Sequence, residues 1–169
     1  NNDGNDCFTT DAPATPEGFL SIRMDHIEDC GVDSVFYCTA MSSVFAHRSK
    51  VVELFTSTGS PVQNNRMAGS LKAGTDPLEL AIQSCRKRET EVFWTLRMND
   101  IHDNFGVNHP MLAKWKTEHP EWVMGTPEEA AKRHVRDPRS VWTFADFGRE
   151  EVRDMMARAV AEVLENYDV

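Results

Sequence analysis

A dense group of polar side chains follows one of the most apolar runs in the chain. The run is Val92-Phe-Trp-Thr-Leu96, and Arg97-Met-Asn-Asp-Ile-His-Asp103 comes directly after it. Guanidinium, amide, carboxylate and imidazole groups packed this closely can form the many hydrogen bonds that a polyhydroxylated ligand requires. Aspartate and asparagine also cap turns, so part of the segment can serve the local backbone instead. We predict that a ligand contacts at least two of these side chains; the candidates are Arg97, Asn99, Asp100, His102 and Asp103.

Three further places offer candidate ligand contacts. Asn1-Asn-Asp-Gly-Asn-Asp6 contributes Asn2 and Asp3, although alone it also resembles a flexible end or a turn. Thr39 follows a predicted strand, and Trp115 and Trp122 could stack on sugar rings; ordinary turn and core roles are the alternatives. We predict no metal and no other cofactor, because the histidines show neither HExxH nor HxH spacing.

Apolar periodicity places these residues on alternating helices and strands. Helices are predicted over 16–30, 76–88 and 149–167, and the first two begin with a capping residue and a proline, Thr15-Pro16 and Asp76-Pro77. Gly31 suits the left-handed residue that ends the first helix. Short β-rich runs predict strands over 32–38 and 92–97.

This alternation favours an α/β fold with parallel strands. A barrel and a doubly wound sheet share the pattern, but no GxGxxG or P-loop motif supports nucleotide binding. The connections that leave the strands are long, 39–75 and 98–147, whereas those that enter the strands are short. Because barrel enzymes build their sites on the loops after strands, this asymmetry points to a barrel with functional loops.

Composition limits the classes of partner. The chain has 169 residues, of which 40% are apolar, and this is enough for one globular core. A net charge of −9 argues against a nucleic-acid groove, and no apolar run approaches the roughly 20 residues of a membrane span. The four cysteines contain no CxxC pair, so we expect buried free thiols, with Cys30 and Cys85 on helix stripes and Cys38 ending a strand. Cellular location stays open.

Several stretches of the chain are distinctive when taken together. They are Asn1-Asn-Asp-Gly4, Val32-Asp-Ser-Val-Phe-Tyr-Cys-Thr39, Val92 to Asp103, Trp115-Lys-Thr-Glu-His-Pro-Glu-Trp122 with Gly125, and Glu151-Val-Arg-Asp154 leading to Tyr167-Asp-Val169. Together they resemble bacterial proteins of the glycosyl hydrolase-like 10 family. The resemblance implies a (β/α)₈ barrel, of which residues 1–169 are a fragment truncated at both ends. The fragment extends from the loop after barrel strand one to the helix before strand four.

The resemblance also implies hydrolysis of O-glycosidic bonds in a carbohydrate. In barrels of this kind the general acid usually follows strand four, which is expected beyond Val169, so the catalytic residues stay unassigned. The polar candidates are therefore assigned to substrate binding. A barrel that binds carbohydrate without cleaving it is the alternative function, and a metal-dependent barrel hydrolase is a third hypothesis. The fragment alone is expected to be inactive and prone to self-association.

Overall fold

The computed structural model describes residues 13–27, 29–41, 43–59, 62, 65–134, 137 and 140–169. Its central feature is a parallel pair of strands, β1 (Ser34–Cys38) and β4 (Glu91–Thr95). The register pairs Ser34 with Glu91 and Cys38 with Thr95. The predicted parallel neighbours are therefore confirmed, and both strands end at the same edge of the sheet.

The two faces of this sheet differ in what covers them. Val35, Tyr37 and Val92 point into a core that also contains residues of the three long helices. The rings of Phe36 and Phe93 lie on the opposite face, stacked at 4.8 Å, and are 44% and 43% exposed. Successive side chains of a strand point to opposite faces of the sheet, so these strands have apolar side chains on both faces. The helices cover only one of the two faces.

Two of the covering helices begin as their capping residues predict. In α1 (Pro16–Arg23), the Thr15 hydroxyl accepts a hydrogen bond from the Gly18 N–H. In α3 (Pro77–Lys87), Asp76 Oδ1 accepts from the N–H groups of Leu78 and Glu79. These bonds satisfy donors that have no partner within the helix, which is why the chain turns helical at these points.

The first helix is shorter than its predicted span of 16–30. It ends at Arg23, and a 3₁₀ turn (Asp25–Ile27) follows before Gly31, whose φ of +62° confirms the predicted left-handed residue. The tighter turn interrupts the 3.6-residue periodicity that had placed Cys30 on the apolar stripe. Cys30 is consequently exposed, and its predicted burial was wrong, whereas Cys38 and Cys85 are buried free thiols as expected.

The third long helix, α6 (Glu150–Asn166), contributes to more than one cluster of the core. Val163 joins the helices behind the sheet, while Val152, Met155 and Met156 pack in a second cluster with Trp115 and Trp142. Leu164, an apolar residue of the same helix, is 66% exposed. No helix in the described part of the chain is both long and apolar enough to cross a membrane.

The two long connections contain short elements of their own. After β1 come an antiparallel pair, β2 (Ala40–Met41) and β3 (Val44–Phe45), and then α2 (Arg66–Lys72). After β4 come α4 (Lys114–Glu118), a 3₁₀ turn (Pro120–Trp122) and α5 (Pro127–Ala131). The chain is thus a mixed α/β structure in which both elaborate connections follow a parallel strand, as the sequence predicts.

Candidate functional site

The strongest candidate site is a cluster of three side chains directly after β4. Asp100 is the centre of the cluster, with a side chain only 2% exposed. Its Oδ1 accepts hydrogen bonds from the backbone N–H of His102 at 2.9 Å and from His102 Nδ1 at 2.6 Å. Its Oδ2 accepts from Arg97 Nη1 at 3.0 Å. A buried carboxylate therefore holds a guanidinium and an imidazole whose side chains are 31% and 59% exposed.

The charge state of Asp100 follows from these partners. Burial alone would raise the pKa of Asp100, but the hydrogen bonds from His102 and Arg97 together hold the pKa below its ordinary value. The ionised carboxylate can only accept hydrogen bonds, so the Nδ1 of His102 carries a proton. In the neutral ring this leaves Nε2 as the acceptor. The cluster thus offers a positive donor, Arg97, and an oriented imidazole at the end of the strand.

Two other predicted contacts, Asn99 and Asp103, hold the loop in place. Asn99 Oδ1 accepts from the N–H of Ala145 at 2.9 Å, and its Nδ2 donates to the carbonyl of the same residue at 3.2 Å. Asp103 forms a 2.6 Å ion pair with Lys116 of α4, and both side chains are fully buried. Burial raises the pKa of Asp103 and lowers that of Lys116, although each charge favours the other. Contact of Asn99 or Asp103 with a ligand stays a prediction.

Thr39 lies at the corresponding end of β1 but is buried. Its hydroxyl oxygen accepts from Trp94 Nε1 at 2.7 Å and shares a 2.6 Å hydrogen bond with His47 Nδ1. His47 is itself completely buried, and this burial lowers its pKa to about 4. The three side chains form a polar group inside the molecule, between the strand ends and Tyr167 of the chain terminus.

The predicted aromatic platforms pack into the second cluster of the core. Trp115 is buried, and its ring lies 6.2 Å from that of Trp122. Trp122 is partly exposed and stacks on His119 at 4.0 Å. Their roles as sugar platforms remain predictions, and Asn2 and Asp3 lie outside the described residues.

An aromatic residue that the sequence analysis did not single out is Phe105, in the same loop. Its side chain is 79% exposed. The available signal was its place between Asn104 and Gly106, because residues of these types favour turns and turns lie at the surface. Within the described ranges, no group of three or more His, Cys, Asp or Glu side chains could hold a metal ion.

Comparison with known proteins places these features in a family. Residues 32–169 match the sequence model of a protein family described as Glycosyl hydrolase-like 10. The match includes both parallel strands, the Arg97–Asp100–His102 cluster and all of α6. No match to the chain was found among curated proteins.

Proposed function

The chain belongs to the glycosyl hydrolase-like 10 family, and from this we propose that it forms part of a (β/α)₈ barrel that hydrolyses O-glycosidic bonds. The family supports a glycoside hydrolase-related function and a carbohydrate ligand. In this proposal residues 1–169 extend from the loop after barrel strand one to the helix before strand four. β1 and β4 are then barrel strands two and three, and Phe36 and Phe93 point toward the barrel interior.

The observation that carries the proposal is the position of the Arg97–Asp100–His102 cluster. It follows β4 at the edge where both parallel strands end, and this is the edge at which barrel enzymes build their active sites. Because Asp100 fixes both neighbours, Arg97 and His102 need little reorganisation to bind hydroxyl groups of a sugar. We assign Arg97 and His102 to substrate binding and Asp100 to holding them.

The described carboxylates of this loop are poorly suited to acid catalysis. Glycoside hydrolysis normally uses two carboxyl groups, about 5–5.5 Å apart for retention and about 6.5–9.5 Å for inversion. Asp100 accepts hydrogen bonds on both oxygens and has a lowered pKa, so it is a poor proton donor near neutral pH. Asp103 has no exposure to solvent. We therefore place the catalytic pair outside residues 97–103, at other strand ends of the barrel.

A panel of polysaccharides and chromogenic glycosides tests this function in the full-length protein. We expect release of reducing ends from at least one carbohydrate, and a loss of about tenfold or more in kcat/KM for Arg97→Ala, which removes the guanidinium from the site. Lys132→Ala, a substitution at an exposed position after α5, should leave kcat/KM unchanged. If the Arg97→Ala enzyme were as active as the wild type, the assignment of the cluster to substrate binding would be wrong.

A carbohydrate-binding barrel without catalysis is the second candidate. The observation that favours it is that both carboxylates of the loop are engaged in internal contacts. Calorimetry combined with a cleavage assay distinguishes the two functions. A binder gives a saturable heat of binding with an oligosaccharide and releases no product from it during prolonged incubation.

A further inference from the structure

We propose that Phe105 is the platform on which a pyranose ring stacks beside the Arg97–Asp100–His102 cluster. The inference rests on the proposed carbohydrate function and names one further residue that determines which sugars bind. Among the large hydrophobic side chains of the described residues, Phe105 has the greatest exposure, at 79%. A phenyl ring left in water forfeits the free energy that burial would give, so a bound ring that covers it gains that free energy.

Polar contacts of Phe105 and of the two residues before it hold this part of the backbone in place. Asp103, two residues before Phe105, forms an ion pair with Lys116. Asn104, the immediate neighbour, accepts from the Trp142 N–H at 3.0 Å and donates to the Ser140 carbonyl at 3.4 Å. The N–H of Phe105 donates to the Asp103 carbonyl at 2.9 Å. The exposed ring is therefore carried by a fixed turn, and presenting it to a ligand costs little conformational entropy.

Several polar side chains of the loop bond to other segments, whereas its phenyl ring faces solvent. Asn99, Asp103 and Asn104 all bond to other segments of the molecule. Phe105 contacts His109 with ring centroids 5.3 Å apart at 47°, a tilted contact on one part of its surface. The loop thus combines polar groups bonded internally with an exposed aromatic ring and with Arg97 and His102, whose side chains are partly exposed, and this mixture suits a partly apolar ligand.

A pyranose has the chemistry that this arrangement fits. The face of the ring carries C–H bonds that pack on an aromatic face, while the hydroxyl groups around the rim need hydrogen-bonding partners such as Arg97 and His102. Phe105 has no polar atom, so it selects for an uninterrupted C–H face. The expected ligands are chains of equatorially substituted β-linked pyranosides, in preference to sugars with axial hydroxyls.

Titration calorimetry on the full-length protein tests the platform with cellohexaose, xylohexaose and chitohexaose as probes. For the hexasaccharide that binds wild type most tightly, we expect Phe105→Ala to raise Kd about tenfold and Phe105→Trp to leave it within about threefold. Leu164→Ala is the matched control, since Leu164 is a 66% exposed apolar residue on α6, and its Kd should equal that of the wild type. Circular dichroism checks that each variant is folded.

The possible outcomes separate this inference from the proposed function. Binding of a hexasaccharide that Phe105→Ala leaves unchanged would overturn the platform while the carbohydrate function stands. If no hexasaccharide binds and the glycoside panel is also negative, the function and the inference fail together. A shift of Phe105→Ala to a smaller species in size-exclusion chromatography would show that the ring covers a protein surface, which also overturns the platform.

Discussion

Asp100 and Asp103 are close in the sequence, yet their surroundings give their carboxyl groups opposite tendencies. The pKa of Asp100 is lowered because His102 and Arg97 donate to it, whereas burial raises that of Asp103 even with Lys116 beside it. A lowered pKa stabilises the fold above the ordinary pKa of aspartate, and this contribution disappears as pH falls through the folded value. A raised pKa acts in the opposite direction. Residue type alone therefore does not assign a carboxylate its role.

His47 is a titratable side chain whose environment opposes its charge. It is completely buried, its Nδ1 shares a hydrogen bond with Thr39, and its Nε2 has no hydrogen-bond partner. Burial lowers the pKa from 6.5 to about 4, although Asp76 and Glu162 act in the opposite direction. The unfolded chain therefore binds a proton at this residue at a higher pH than the folded protein does.

We expect the free energy of unfolding to be highest above pH 6.5 and to decline as pH falls toward 4. The His47 contribution to this loss is about 3 kcal/mol, since each pKa unit corresponds to about 1.4 kcal/mol. Urea denaturation of the full-length protein between pH 7.5 and 4.5 measures it. His47→Gln should flatten the profile, and His26→Gln, at an exposed position, should not. Parallel profiles for His47→Gln and wild type would contradict the assignment.

At the scale of elements, Asp76 does more than begin α3. Its Oδ1 caps the helix, while its Oδ2 accepts from the Arg48 N–H at 2.9 Å and from the Tyr167 hydroxyl at 2.7 Å. Burial, followed by the Asp76 carboxylate, raises the pKa of Tyr167, so its hydroxyl stays protonated and donates. One side chain thus joins the start of α3, the segment after β3 and the residue that follows α6.

Replacing Asp76 with alanine should therefore cost more than an ordinary cap. We expect about 3 kcal/mol, of which about 1 kcal/mol is the cap and the rest reflects the partly buried Arg48 N–H and Tyr167 hydroxyl, which lose their carboxylate acceptor. Thr126→Ala is the matched control, because Thr126 caps the short α5 and lies exposed, and it should cost 1 kcal/mol or less. Equal losses in urea denaturation would show that the contacts of Oδ2 contribute nothing.

At the scale of the whole molecule, the parallel sheet has open edges and an open face. β1 and β4 pair with each other alone among the described residues, and Phe36 and Phe93 lie exposed on the side away from the helices. In a closed barrel both edges would be paired and this face would fill the interior. Without such closure, unpaired N–H and C=O groups and stacked rings promote association with another chain.

We expect residues 1–169, expressed alone, to self-associate in size-exclusion chromatography with light scattering as concentration rises. At about 25 cal/mol per Å², a few hundred Å² of covered apolar surface supplies several kcal/mol for association. Replacing Phe36 and Phe93 with threonine should shift the chain toward monomer, whereas Leu164→Thr, on an exposed helix face, should not. A sharply melting monomer at every concentration would contradict this expectation.

The secondary structure was largely predictable because its signals are local. Apolar periodicity and the pairs Thr15-Pro16 and Asp76-Pro77 placed the helix starts within a residue of their positions, and Gly31 has its expected left-handed backbone. The end of α1 was not predictable, since the 3₁₀ turn at Asp25–Ile27 accompanies the complete burial of Met24 in the tertiary core. The polar segment after β4 was likewise evident in the sequence, and its contact with a ligand stays a prediction.

The α/β alternation, the parallel strand pair and the polar segment at the end of β4 could be predicted from local patterns in the sequence. Which of those polar side chains hold the loop and which face outward depends on contacts between distant segments. Asn99 binds Ala145, 46 residues away, and Asp103 binds Lys116, 13 residues away. Tertiary packing also buried Trp115 and left Phe105 in solvent. Helix and strand signals repeat within a few residues, whereas these contacts depend on segments that meet only when the chain has folded.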